Sequence, residues 1–465
     1  SGSFNEMDVP PTLVSFALSM TEASKTGTAA FQKKDSLVAF LPLPVDDKTL
    51  LPDFAKAKEL YDEVTRLVQF GVVNAASVVC EGGVAATVAR MSFGNRIGFA
   101  FNGEVDRQTL FAPLAGSIVL ELKEGDLCLE GLDYTLIGST IEEEEIVLAG
   151  ETLPLDDLIR VWTAPLDPVF PIDSKAEPTM TPEVKLWAQR NDHAPAIHTA
   201  RPRVFIPVFP GTNCEYDTAR AFERAGAVAD TLVVKNLTPA GMEGTSRRMA
   251  AAVRDAQIVM LPGGFSGGDE PDGSGKFIAT TLRNPRLAEA INDLLQNRDG
   301  LMLGICNGFQ ALIKLGLVPY GEIRPLAEDA PTLTFNTLGR HISRMVYTRI
   351  SSVKSPWLAG CEAGDVHCIP VSHGEGRFVA NAAVMQQLVE NGQIATQYVT
   401  PDGVPVPETT WNPNGSVCAV EGITSPDGRV FGKMGHSERC GDDLLRNVPG
   451  NKDQKLFESG VRYFR

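Results

Sequence analysis

Apolar residues return every third or fourth position between Asp53 and Gly71, where Phe54, Ala57, Leu60, Tyr61, Val64, Leu67 and Val68 share one face. That spacing predicts an amphipathic helix. Ala75 to Cys80 is a short apolar run closed by Gly82 and Gly83, the pattern of a strand, and a second helix is predicted from Val84 to Met91, ended by Gly94 and Asn95. Ser117 to Leu122 and Tyr134 to Ser139 read as strands between turns, and Glu142 to Glu145 as a solvated turn or edge. The texture changes at Pro165. From there to Pro202 the chain carries seven prolines, scattered charge and no long apolar period. Residues 166–202 are therefore predicted to be a linker, with one short helix around Glu183 to Arg190.

From Arg203 onward, strand and helix patterns alternate. Val204 to Phe209, Thr231 to Val234, Gln257 to Leu261, Leu301 to Ile305 and Arg429 to Gly432 read as strands; Asp217 to Ala225, Leu287 to Gln296 and Phe309 to Leu315 read as helices. Such alternation predicts an α/β fold with an open, largely parallel sheet covered on both faces. Ligands gather at the carboxyl ends of the strands in these sheets, so the loops after Phe209, Leu261 and Ile305 are where chemistry is expected. Three regions result: 1–165, the linker 166–202, and 203–465.

The length of 465 residues agrees with more than one domain. A net charge of −16 and the lack of a basic patch argue against nucleic acid and anionic membrane as partners. No apolar run reaches the ~18 residues of a spanning helix. The eight cysteines are scattered without a CxxC pair, which argues against a zinc site or disulfide framework and for a reduced, cytoplasmic protein. Residues Ser1 to Pro10 lack signal-peptide features and an initiating Met, as expected of a processed chain or one cut from a longer protein.

Gly304-Ile305-Cys306-Asn307-Gly308 has the form G-x-C-x-G at a strand-to-helix junction, a thiol counterpart of the nucleophile elbow. A lone cysteine is ordinarily structural, but the glycine frame and the following helix argue for a nucleophile. The helix N-terminus is expected to favour the thiolate, and its N–H groups to hold an oxyanion. His436 and Glu438 lie two residues apart after a predicted strand, so the carboxylate is expected to fix the imidazole tautomer while the other nitrogen serves Cys306. Pro262-Gly263-Gly264 is a second glycine turn after a strand and supplies the expected other half of an oxyanion hole. Asp272 to Lys276 lacks P-loop spacing and reads as a surface loop.

At these residues the sequence resembles a known family. Residues 203–465 resemble class I (triad) glutamine amidotransferase domains, on the strings PGTNCE (210–215), LPGGFSGGD (261–269), GICNGFQALIKLGLVP (304–319), PVSHGEGRF (370–378), NPNGS (412–416) and GHSER (435–439). PGTNCE and SHGEG narrow the resemblance to the glutaminase of phosphoribosylformylglycinamidine synthases, enzymes of purine biosynthesis. The resemblance implies a flavodoxin-like sheet, Cys306 as nucleophile, His436 as base and Glu438 as its orienting partner. It further implies oxyanion and substrate binding at Gly263, Gly264, Asn307 and Gln310, with His373 and Glu375 shaping the site. Ser437 stands where the family commonly has Pro.

SGSFNEMDVPPTLVSFAL (1–18) and GGVAATVARMSFGNRIG (82–98) are similar to the aminoimidazole-ribonucleotide-synthetase-like part of the same enzymes, which implies an α+β domain ahead of the glutaminase. Relatives often carry Asp residues before the Gly-Gly pair; here the string is Ser77-Val78-Val79-Cys80-Glu81, and Glu81 alone is a poor magnesium site. This half is therefore read as a scaffold. The resemblance implies L-glutamine as substrate, no cofactor or metal in the glutaminase, and ATP and Mg2+ for a complete ligase whose N-terminal synthetase part is the partner. Two alternatives stay open: a cysteine peptidase or deglycase on the same scaffold, and a glutaminase silent without its synthetase part.

Overall fold

The structure, a computed structural model, describes residues 2–4, 7–9, 11, 13–46, 48–49, 51–103, 106–168, 170–172, 174, 178–191, 193–267, 274–441 and 444–465. Gly268 and Asp269 of the LPGGFSGGD string, and Asp272 and Gly273 of the predicted surface loop, lie outside these residues. The chain divides into two compact units, Ser1–Leu166 and Asp167–Arg465.

In the first unit a seven-stranded sheet runs in the order Val73–Val78, Ile118–Leu122, Leu37–Leu41, Thr135–Ile141, Gly98–Phe101, Glu145–Leu148 and Glu151–Pro154. Side chains alternate across a strand, so Leu37–Leu41 feeds two cores. Val38 and Phe40 pack with Val84, Val88 and Met91 of the helix Gly83–Phe93. Ala39 and Leu41 pack with Leu60, Val64 and Leu67 of the helix Phe54–Gln69. Asp53 starts that second helix by accepting from Lys56 N. The expected acidic turn is a bend through Glu142 to Glu144 leading into a strand at Glu145.

The second unit is built on a nine-stranded sheet. Its strands are β1 (Arg203–Val208), β2 (Val228–Val233), β3 (Ile258–Leu261), β4 (Leu301–Ile305), β5 (Ile342–Ile350), β6 (Val366–His373), β7 (Ile394–Val399), β8 (Val420–Thr424) and β9 (Val430–Lys433). The order is β2-β1-β3-β4-β9-β8-β7-β5-β6. The first five are parallel, and β3 and β4 are buried along their whole length, which is why they read as continuous apolar runs. The other four form an antiparallel wing that the strand-helix alternation did not indicate. Helices α1 (Glu215–Arg224), α2 (Pro239–Asp255), α3 (Lys276–Leu282), α4 (Pro285–Gln296) and α5 (Asn307–Leu315) complete the α/β part.

The helix expected around Glu183 to Arg190 does not form. Its backbone is bound elsewhere: Trp187 N donates to Ser351 O (2.8 Å) and Val353 N to Trp187 O (3.0 Å). Arg190 Nη2 donates to Cys361 O (2.7 Å), and Thr179 O accepts from Cys418 N (2.7 Å). These bonds hold much of the proline-rich stretch along the second unit.

Candidate active site

β4 ends at Ile305, and Cys306 turns the chain into α5 with φ 52° and ψ −106°, a backbone conformation a non-glycine residue adopts only under constraint. Three contacts impose it. Cys306 N donates to Lys433 O (2.8 Å), Gln310 N donates to Cys306 O (3.0 Å), and Gly308 lies so close to β3 that a Cβ there would sit 1.9 Å from Leu261 O. Cys306 is 5% exposed, and its thiol donates to Ser372 O at 3.5 Å.

β9 is the parallel neighbour of β4, with Ile305 opposite Lys433. The chain after β9 therefore emerges beside the elbow. His436 N donates to Pro370 O (2.8 Å), and His436 Nδ1 lies 2.6 Å from Glu438 Oε1. With Glu438 ionised, Nδ1 is the donor and Nε2 the free base. His436 and Glu438 sit in a turn after the strand rather than in an extended segment, yet the two-residue spacing still brings their side chains together. His436 Nε2 and Glu438 Oε2 have no hydrogen-bond partner among the described residues.

Gly263 faces the same point: a Cβ there would lie 2.7 Å from His436 Cε1. Gly264 is pressed against the loop after β1, in a bridge with Thr212. Asn307 Oδ1 accepts from Ser266 N (3.3 Å), and its Nδ2 donates to Gln310 Oε1 (3.0 Å). Gln310 Nε2 donates to Glu375 O (2.6 Å), and Glu375 Oε2 accepts from Ser274 N (2.7 Å). Glu375 thus clamps the start of α3 and Gln310 together. His373 is 2% exposed with both ring nitrogens unpartnered. The structure thereby gathers Cys306, His436, Glu438, Gly263, Asn307, Gln310, His373 and Glu375 around the carboxyl ends of β3, β4 and β9.

One expectation is corrected. Burial pushes the Cys306 thiol up to about 12, with Cys214 and Glu438 adding to the shift; the backbone N–H of Asn307 at the helix N-terminus lowers it only in part. Cys306 therefore rests as a thiol, and any attack by its sulfur would require a base to take the proton. Burial also raises the Glu438 carboxyl, but its electrostatic attraction to the Nδ1–H side of His436 and the hydrogen bond between them outweigh it and hold the group below the ordinary carboxylate range. Burial, with His436 and His341 nearby, depresses His373 to about 3, so it is neutral.

Several residues at this site escaped the reading of the sequence. Cys214, in the PGTNCE string, lies 3.9 Å from His436 Nδ1, and Arg439 Nη2 donates to its sulfur at 3.1 Å. Lys433 and Glu421 form a wholly buried ion pair at 3.3 Å. Lys433 Nζ donates to Gly435 O (2.7 Å) and Ser437 Oγ (3.0 Å), while Glu421 Oε1 accepts from Gly435 N (2.5 Å). The N–H and C=O of Gly435, the residue before His436, are thus both held by this ion pair. No local signal joins these partners, because 222 residues separate Cys214 from His436.

Residues 201–464 match the model of the CobB/CobQ-like glutamine amidotransferase domain, more than half of the chain. The chain belongs to this glutamine amidotransferase family. Among curated relatives of the amidotransferase, one from Methanococcus maripaludis, called phosphoribosylformylglycinamidine synthase subunit PurQ, is 36% identical over 283 residues. That alignment takes in 57% of this chain and 97% of the relative. A protein of the same description from Symbiobacterium thermophilum is 36% identical over 264 residues, 56% of this chain and 96% of its own. A solved structure described as PurLQS from Thermotoga maritima aligns at 27% identity and a TM-score of 0.41, over 57% of this chain and all of that one.

Among the described residues of the first unit, the surroundings of Glu81 do not suit Mg2+. Beside Glu81 lies a cavity of about 590 Å3 walled by Ala85, Phe93, Phe101, Leu158 and Trp162. One carboxylate on an apolar wall does not meet the oxygen-ligand demand of Mg2+. No helix among the described residues is long and apolar enough to cross a membrane.

Proposed function

We propose that the second unit hydrolyses L-glutamine, with Cys306 as nucleophile, His436 as base and Glu438 holding its tautomer. The carrying observation is the meeting of the strained Cys306 elbow with the His436–Glu438 pair, bonded at 2.6 Å, at the ends of adjacent parallel strands. Sγ attacks the side-chain amide carbon of glutamine as its proton passes to His436 Nε2. Backbone N–H groups at Gly264 and Asn307 receive the oxyanion, and the C–N bond breaks as His436 returns the proton to the departing ammonia. A thioester remains. Water, deprotonated by His436, cleaves it to glutamate and frees the thiol. Gln310, braced by Asn307 and Glu375, orients the substrate, with Gly263 giving it backbone room and His373 shaping the cavity.

In the complete ligase the ammonia serves the ATP- and Mg2+-dependent conversion of formylglycinamide ribonucleotide to its amidine, carried out with a synthetase partner in the cytoplasm. The curated relatives, named as subunits of that synthase, support this setting. Residues 1–166 contribute a scaffold rather than a metal-nucleotide site. Glutamate release from glutamine, measured with and without the synthetase part, tests the reading. Turnover lost in Cys306→Ala and in Glu438→Gln supports it, and glutamine turnover retained by Cys306→Ala sinks it.

A further inference from the structure

We propose that Cys214, His436 and Glu438 form an inhibitory site for a soft divalent cation of the zinc class. The ligand atoms of these three residues lie within 4.8 Å of one another, and all three residues are buried. The second oxygen of Glu438, Oε2, is enclosed and has no partner among the described residues, an independent sign that the site can take a further ligand. Thiolate, imidazole and carboxylate form a donor set that suits zinc.

The geometry is close to what such an ion needs. With Zn–S of about 2.3 Å and Zn–N of about 2.0 Å, tetrahedral coordination places sulfur and nitrogen about 3.5 Å apart. Cys214 Sγ and His436 Nδ1 are 3.9 Å apart. The carboxylate now sits 2.6 Å from Nδ1 in a hydrogen bond, so Oε1 has to withdraw, or Oε2 takes its place. Burial and the Glu438 carboxylate push the Cys214 thiol up to about 11, and the Arg439 guanidinium at its sulfur offsets this only in part; the single positive charge of Arg439 is opposed by the thiolate and the carboxylate once an ion is bound. A cavity of about 450 Å3 lined by Arg224, Ser437, Glu438, Cys440 and Asp453 borders the site on its Glu438 side; Cys214 and His436 do not line it.

Binding releases the Cys214 thiol proton, and the metal replaces the proton on His436 Nδ1, which moves to Nε2. The imidazole stays neutral but Nε2 now carries hydrogen, so it no longer accepts the proton of Cys306. The site therefore switches off the base without touching the nucleophile. This consequence rests on the proposed role of His436; the binding itself does not.

The test titrates the full chain with Co2+ and Zn2+ and compares wild type with Cys214→Ala and the near-isosteric Cys214→Ser. Bound metal is read from the near-ultraviolet thiolate-to-cobalt band, and inhibition from zinc-dependent loss of glutamate release. Wild type is expected to bind one ion with loss of activity. Loss of an outer-shell partner typically weakens a metal site about 10–100-fold, so loss of a direct ligand in either variant is expected to weaken binding by at least about 100-fold, with inhibition read against each variant's own metal-free turnover. An unchanged band and unchanged inhibition in both variants would place the metal on another thiol and overturn the site; the absence of any band in wild type would overturn it as well. A Cys214-dependent band without inhibition would keep an ion at Cys214 but overturn its inhibitory role.

Discussion

Replacing Lys433 by Met removes the ammonium from a site where both it and Glu421 have no solvent exposure. Glu421 keeps Gly435 N and Thr396 Oγ1 as donors but loses its only ion-pair partner among the described residues, while Gly435 O and Ser437 Oγ lose a donor. Breaking a buried pair from one side costs about 3–5 kcal/mol, because the remaining charge is stranded. For a unit of roughly 300 residues, an unfolding entropy of about 2.1 cal/mol/K per residue gives about 0.6 kcal/mol/K, so the midpoint of the second unit should fall by roughly 5–8 °C. Activity should fall as well, since the pair holds the N–H and C=O of Gly435, the residue before His436; displacement of a catalytic group by about 1 Å costs on the order of 100-fold. Calorimetry and glutamate release well below the transition measure the two effects. Adding Glu421→Gln removes the stranded charge and should return half or more of the lost stability, though not the loop's anchorage. If Lys433→Met costs less than about 1 kcal/mol and Glu421→Gln changes nothing in its background, the reasoning from buried charge is wrong.

Cys306→Ala should eliminate glutamate release while leaving ammonia-dependent synthesis by the complete ligase intact, measured with glutamine and ammonium salts in parallel. Glu438→Gln should lower kcat by about 10³–10⁴-fold with little change in KM, because an amide favours the wrong imidazole tautomer; steady-state kinetics would expose a KM effect instead. Gly308→Ala should leave little folded protein, judged by soluble yield and circular dichroism, since its methyl would lie 1.9 Å from Leu261 O. His373 titrates at about 3 in the folded chain against an ordinary 6.5, so the unfolded chain binds the proton first. Its effect on stability is nil above 6.5, and stability is lost as pH falls from there toward 3. Relative to His373→Asn, the native protein should lose about 2 kcal/mol more between pH 7 and pH 5 in urea unfolding.

The elbow and the parallel strands beside it were legible because their signals are local. Leu301–Ile305 is buried along its whole length and so purely apolar, and the glycines around Cys306 are dictated by contacts a few ångströms away. The antiparallel wing was not legible. Ile394–Val399 is fully buried yet contains Thr396 and Gln397, whose polar groups are satisfied by Glu421, Arg349, Ser351 and Cys418, and those partners are far off in sequence. Helix Pro239–Asp255 carried a readable start in Thr238 and Pro239, but its glycines and short alanines left a weak apolar stripe.

The sequence by itself determined that the chain holds an α/β unit with a cysteine elbow and a histidine-carboxylate pair in the pattern of a glutamine amidotransferase. Only the tertiary structure decided the state of that chemistry. Burial keeps Cys306 a thiol, against the expectation from its helix N-terminus. The order of the sheet brings Glu421 and Lys433 together to fix the loop of His436, and the loop after β1 sets Cys214 beside the imidazole. Periodicity reports which face of an element is apolar; the desolvation of a group and the identity of its neighbours depend on which elements become adjacent, and that is settled only when the chain packs.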